Sequence, residues 1–228
     1  MYNNQRIIKE LKPYISAADI FRIYGEERDS VFLDSSLVND LGRYSIIGRA
    51  PYLKLVKDGD TFTVNGKPET GKTFEDYMRE YLNTHEDKNE CPLPIVSGAI
   101  GYFSYDYGRE QMGVPTGEKD LVTIPEAVLT FYDCFIVEDC REKRTYLVSN
   151  GITGNAPELI RSMEKEIQEN VKFGKISVSE AEKKITDPVS HREKFKIQVH
   201  PNFEKEEYKQ AVDRMIRYII EGDIYIAN

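Results

Sequence analysis

Tryptophan is absent from these 228 residues, histidine and cysteine occur three times each, and basic residues do not outnumber acidic ones. No apolar run approaches the roughly 18 residues that cross a bilayer. Each shortage excludes something. Cys91, Cys134 and Cys140 show neither CxxC nor Cys/His ligand spacing, which leaves no recognisable zinc site or disulfide framework. An odd number of thiols suits a reducing, cytoplasmic setting, and they read as buried and inert. His85, His191 and His200 stand in polar, charged surroundings and read as solvated loop residues. With 31 Lys and Arg against 39 Asp and Glu, the net charge of −8 argues against a nucleic-acid partner. The opening residues Met1 to Arg6 lack the apolar segment of a secretory signal, and no membrane association is expected. Catalytic signatures are missing too: there is no P-loop, no GxGxxG after a strand, no HExxH and no GxSxG.

What is present is ordinary globular material, 40% hydrophobic and 31% charged. Ile7 to Tyr24 reads as a short strand or arm followed by a helix, and Val31-Phe32-Leu33 as a compact strand ending in Asp34-Ser35-Ser36. Arg43 to Gly48 predicts a strand stopped by Gly48 and Pro51. Tyr52 to Val56 and Thr61 to Val64 pair through Asp58-Gly59, with Asn65-Gly66 as further punctuation. Phe74 to Leu82 is helical. Ile95 to Phe103 is a strand whose glycines call for close packing, and Ala127 to Val137 with Arg144 to Ser149 form a hairpin. Pro157 to Val171 is an amphipathic helix, and Phe195, Ile197 and Val199 alternate as a strand. A last helix carries Tyr208, Val212, Met215, Ile216, Ile219 and Ile220 on one face, stops at Gly222 and turns into Ile224-Tyr225-Ile226, which reads as a buried strand. Nothing closes that strand, so the chain reads as the front part of a longer protein. Many antiparallel strands, a few helices and no βαβ alternation predict an α+β fold, antiparallel sheets with packed helices.

Three polar clusters stand out at strand ends. In the first, Asp34-Ser35-Ser36 is followed by Leu41-Gly42-Arg43-Tyr44-Ser45: a hydroxyl, a flexible glycine and an arginine that can grip a carboxylate. The competing reading is a strand-end serine cap with an arginine paired to a nearby acid. The second, Gly101 to Glu110, is dense in aromatics and suits a structural corner with an Asp106–Arg109 ion pair. The third is Gly222 to Asn228. The acidic groups Glu26-Glu27, Glu138-Asp139 and Glu204-Glu206-Glu207 read as solvated surface charge.

In order, LDSS, GRYSIIGRAP, SGAIGYFSYDYGRE, PEAVLTFYDCFIVED and EYKQAVDRMIRYIIEGDIYIAN resemble the chorismate-utilising synthases, component I of anthranilate synthase and of aminodeoxychorismate (para-aminobenzoate) synthase. The segments around Phe103 to Arg109 and Gly222 to Asn228 look more like the aminodeoxychorismate branch. The resemblance implies the N-terminal part of that family's β/α/α/β architecture: an N-terminal domain over 1–172, a charged connection over 173–192 and the start of a chorismate-binding portion over 193–228. It implies an enzyme that aminates chorismate for folate synthesis, with Mg²⁺ and ammonia from a glutamine amidotransferase, component II. The family's catalytic acid and metal carboxylates lie further along than Asn228, so no catalytic or metal residue is assigned and this chain alone is expected to be inactive. Many members bind L-tryptophan, and the positions matching that site are Ser35, Leu41, Gly42, Arg43 and Tyr44. The alternatives are the anthranilate branch, with tryptophan as feedback inhibitor, and a non-catalytic amino-acid-binding module.

Overall fold

Two long strands organise everything else. In the computed structural model, which describes residues 6–113, 124–176, 178 and 200–226, β3 (Tyr44–Asp58) and β7 (Ala127–Asp139) pair antiparallel along their whole length. The remaining strands are β1 (Ile7–Leu11), β2 (Val31–Leu33), β4 (Thr61–Val64), β5 (Lys67–Pro68), β6 (Ala99–Phe103) and β8 (Arg144–Ser149). Each long strand carries two short ones end to end on its outer edge: β3 holds β2 and β4, and β7 holds β6 and β8, with β1 beyond β8 and β5 beyond β4. The result is one antiparallel sheet with helices packed on it, the α+β arrangement that the pattern predicts.

β3 continues past both residues expected to stop it. Proline has no N–H to give to a ladder, and Pro51 is tolerated because the register with β7 shifts between Pro51 and Leu53. Ala50 turns the chain there at φ 52°. Gly48 is needed because a β-carbon would press on the Tyr132 ring at 2.9 Å.

Alternation along the strands sends side chains to two faces. On one face Ile47, Cys134, Ile136 and Leu147 meet helices α1 (Ala17–Tyr24) and α4 (Ala156–Lys172) through Ile20, Tyr24, Ile160, Met163 and Ile167. Full burial of one such aliphatic side chain is worth about 1.5–3 kcal/mol. Both helices start on a side-chain cap: Ser16 Oγ accepts from Asp19 N at 3.1 Å and Asn155 Oδ1 from Glu158 N at 3.2 Å. On the opposite face Phe135, Val137 and Val148 pack under Leu93 and Val96. Toward the far end α2 (Phe74–Thr84) seats Phe74 on Leu53, Leu55, Phe62 and Phe131. The predicted aromatic corner contains a short helix, α3 (Tyr105–Gln111), with Arg109 Nη1 on Asp106 Oδ1 at 3.1 Å.

The chain divides into two compact units, 1–183 and 184–228. In the second, α5 (Lys205–Glu221) opens with a Glu204/Glu207 capping box and ends on Gly222 at φ 84°. No residue of α5 is buried. Residues 224–226 form no strand, and Tyr225 and Ile226 are exposed, because no described strand of that unit offers them a ladder. The strand expected at Phe195, Ile197 and Val199 lies outside the described residues. No helix among the described residues is long and apolar enough to cross a membrane.

The glycines of the 95–103 segment serve different needs. Gly98 precedes β6 and adopts φ 126°, whereas a β-carbon on Gly101 would run into the Val128 carbonyl of β7. Gly101→Ala is expected to cost about 1–3 kcal/mol by forcing β6 off β7; an unchanged urea midpoint would show that the two strands are not held this tightly.

Candidate functional site

The first polar cluster assembles where β2 ends, β3 begins and the β7–β8 turn closes. Register puts Leu33 opposite Ile46, and Tyr44 and Ser45 opposite Asp139 and Glu138. Ser45 is almost fully buried, and its hydroxyl is the hub. It accepts from Ser35 N at 3.0 Å, donates to Asp34 Oδ1 at 3.3 Å and lies 3.4 Å from Cys140 Sγ. Ser35 Oγ donates to the Tyr44 carbonyl at 2.7 Å. Ser35 therefore locks the chain leaving β2 onto the chain entering β3.

Between them the loop is held by Asn39. Its Oδ1 accepts from Leu41 N at 2.9 Å and Gly42 N at 2.8 Å, an Asx turn. Gly42 has no room for a side chain, since a β-carbon would meet the Leu37 carbonyl. Arg141 of the β7–β8 turn ties the loop down through Asn39 O at 3.2 Å and Asp40 Oδ1 at 3.0 Å. This loop displays aliphatic side chains: Leu41 is 99% exposed and Leu37 73%, with Val38, and Leu33 at the end of β2, about half exposed.

Arg43 stands beside them with Nε and Nη2 on Asp139 Oδ2, at 3.0 and 2.6 Å, and its guanidinium carbon 4.9 Å from the centre of the Tyr44 ring. Its Nη1 meets no acceptor among the described residues. Ser35 is thus bonded to Tyr44 and Arg43 stacks on it, while Leu41 and Gly42 lie on the adjoining loop with the Leu41 side chain exposed. Of the two sequence readings, the one these bonds show is the structural one: the serine caps a strand end and the arginine is paired to an acid.

Sequence reasoning missed that acid. Glu138 and Asp139, read as solvated surface charge, are each 5% exposed. Glu138 is buried because it accepts from the first N–H of α1, Ala17 N, at 2.7 Å and from the Tyr14 hydroxyl. Asp139 is buried because Arg43 covers it and its Oδ1 takes Arg141 N at 3.1 Å and Glu142 N at 3.0 Å. Their position at the end of a long apolar strand, just before a turn, was the available signal. Of the cysteines, expected to be buried, only Cys134 is, and burial pushes its thiol up to about 11; Cys91 and Cys140 are half-buried. Among the described residues no three His, Cys, Asp or Glu side chains are grouped to hold a metal ion. A separate groove, lined by Lys57, Thr61, Glu69, Lys72, Thr73 and Glu75, lies at the opposite end of β3 and includes none of the predicted residues.

Comparison with known proteins bears on this arrangement. The model of a family described as chorismate binding enzyme matches residues 38–228. Anthranilate synthase alpha subunit 2, chloroplastic, of Arabidopsis thaliana is 28% identical over 211 residues, which is 82% of this chain and 32% of that protein. Anthranilate synthase component 1 of Acetivibrio thermocellus is 27% identical over 203 residues, 80% of this chain and 38% of that protein. The chain thus spans about a third to two fifths of the length of these curated relatives. The crystal structure of anthranilate synthase component I from Streptococcus pneumoniae superposes with a TM-score of 0.54 over 97% of this chain and 46% of that one, at 17% identity, a likeness of fold alone. These relatives bear the name of the anthranilate branch rather than the aminodeoxychorismate branch preferred on the motifs. With a family model covering most of its length and the α+β fold in common, the chain belongs to the chorismate-binding enzyme family.

Proposed function

We propose that this chain is the N-terminal, amino-acid-responsive part of an anthranilate synthase component I, a cytoplasmic enzyme. The observation that carries the reading is the alignment of 80% or more of the chain with proteins named anthranilate synthase. In the whole enzyme the substrate is chorismate, with ammonia from a glutamine amidotransferase partner and Mg²⁺. Among the described residues no cluster of His, Cys, Asp or Glu fits that ion. What this chain contributes is a site at Ser35, Leu41, Gly42, Arg43 and Tyr44 for L-tryptophan. Arg43 offers its Nη1 to the ligand carboxylate, Asp34 beside Ser35 offers an acceptor to the ammonium, and the aliphatic rim at Leu37 and Leu41 meets the indole.

The full-length protein, given chorismate, Mg²⁺ and ammonia, is expected to release anthranilate and pyruvate and to lose activity when tryptophan is added. Aminodeoxychorismate as product would select the folate branch, and no turnover at all would leave only a binding module. This chain by itself is expected to leave chorismate unconsumed.

Because the chain has no tryptophan, fluorescence of added tryptophan reports binding against a dark background. Arg43→Ala is expected to weaken binding by about 1.5–3 kcal/mol, the worth of a hydrogen bond to a charged group; unchanged affinity would remove Arg43 from the site.

Acid tests the pair that positions Arg43. Burial alone would raise the Asp139 carboxyl, but Arg43 and the N–H groups of Glu142 and Arg141 outweigh it and hold the carboxyl below its ordinary value. A carboxyl lowered on folding adds stability above its unfolded value, about pH 4, and that stability is lost as pH falls through the lower folded value. Asp139→Asn should therefore be the less stable protein at neutral pH and should lose less stability between about pH 5 and pH 3. Parallel curves of urea midpoint against pH would contradict this.

A further inference from the structure

The sequence contains the same dipeptide, Asn-Gly, at two places that the fold treats differently. Asn65-Gly66 forms the turn between β4 and β5, with φ of 50° and 75°. The Asn65 carboxamide acts there as a piece of backbone. Its Oδ1 accepts from Lys54 N at 2.8 Å and its Nδ2 donates to Tyr52 O at 3.3 Å. Asn65 N also donates to Lys54 O at 2.8 Å. The β3–β4 ladder, whose last paired residues are Leu55 and Val64, thus gains one more rung from a side chain, next to the bulge at Pro51. The turn is exposed, and Gly66 N–H meets no acceptor among the described residues.

Asn150-Gly151 follows β8 inside the protein, with Asn150 only 5% exposed. Its Nδ2 donates to Val96 O at 3.0 Å and Asp133 O at 2.9 Å, and its Oδ1 accepts from Arg6 Nε at 2.7 Å. Gly151 N is engaged as well, donating to Ser149 Oγ at 3.3 Å.

An asparagine followed by glycine deamidates when the glycine nitrogen, having lost its proton to hydroxide, attacks the side-chain carbonyl carbon. The new C–N bond closes a cyclic imide, the Cγ–Nδ2 bond breaks and ammonia leaves with a proton from water. Water then opens the ring to an aspartyl or isoaspartyl residue. The reaction needs the side chain free to swing onto its own backbone, and glycine offers no β-carbon to obstruct it.

We propose that Asn65-Gly66 is a spontaneous deamidation site reached by local opening of its hairpin, whereas Asn150-Gly151 is kept unreactive by the fold until the whole unit unfolds. Two features separate them. After the first turn only the two-residue edge strand β5 and one further bond, Glu69 N to Phe62 O at 2.9 Å, hold the chain to β4, so opening it breaks few bonds and little core. Freeing Asn150 requires breaking its bonds to Asp133 and Val96 in the interior. The change at position 65 is also hard to reverse by refolding. A carboxylate oxygen in place of Nδ2 would face the Tyr52 carbonyl, acceptor against acceptor, and an isoaspartyl linkage would lengthen the turn by one backbone atom.

The test follows both sites in the full chain by peptide mass spectrometry and isoaspartyl methylation in mildly alkaline buffer, with and without denaturant, until the Asn65 peptide has measurably converted. In denaturant the two peptides should convert at rates within about twofold, since their local chemistry is the same. In the folded protein Asn65 should convert roughly tenfold or more faster than Asn150. Equal rates in the folded protein, a faster Asn150, or no conversion of either in denaturant would overturn the proposal. The variant Asn65→Asp isolates the consequence. Hydrogen exchange over residues 61–68 should rise several-fold with the segment around Asn150 unchanged, and an unaltered hairpin would show that the amide is not a rung.

Discussion

The pairing of β3 with β7 is the constraint from which the rest of the first unit follows. It fixes which side chains reach which face, supplies the edges on which β2, β4, β6 and β8 dock, and places the two ends of the sheet far apart. A slip of one residue would turn Ile47 and Ile136 away from α1 and α4 and bring Ile46 and Val137 in their place. The bulge at Pro51 lets a strand of 15 residues contain a proline and still serve two cores. Upstream of it β3 faces α1 and α4, and downstream it faces α2.

The same pairing explains the buried acids. Adjacent residues on a strand point to opposite faces, so Glu138 reaches α1 while Asp139 reaches Arg43 and the turn. Neither could be buried alone, because an unpaired carboxylate away from water is costly. Each has donors enough: a helix N–H and a tyrosine hydroxyl for Glu138, a guanidinium and two turn N–H groups for Asp139. Such groups contribute little net stability but penalise any arrangement that leaves them unpaired. They hold the start of α1 and the strand-end loop to one end of the sheet.

Much of this was legible along the chain. The strands at Val31–Leu33, Thr61–Val64 and Arg144–Ser149, the helix ending at Tyr24 and the helix read over Pro157 to Val171, observed at Ala156–Lys172, follow from apolar runs, turn residues and helical spacing. The unity of β3 was not, because Gly48 and Pro51 are breakers by local rule and only a partner strand shows that a bulge absorbs them. Ser35, Arg43 and Tyr44 were read as one cluster because they are close in sequence. Asp139 was missed because it comes to Arg43 from 96 residues away, through a ladder that no local pattern announces. The apolar run Ile224 to Ile226 misled for the opposite reason: an apolar run is a strand only where another strand meets it.

The candidate site also limits what can occupy it. Its floor is already satisfied, since Ser35 N, Ser35 Oγ and the Ser45 hydroxyl all have partners, and a ligand that needed them would first have to displace a bond. What stays available is one edge of a guanidinium, a carboxylate at Asp34 and an aliphatic rim. A neutral polar molecule gains little from either charge, and an anion alone is opposed by Asp34. The proposed ligand, a zwitterion with an apolar side chain, would use all three features at once and would cover side chains that otherwise face water. An apolar amino acid is therefore the ligand consistent with the proposed site, whereas the two carboxylates of chorismate would find a single arginine there, already half committed to Asp139.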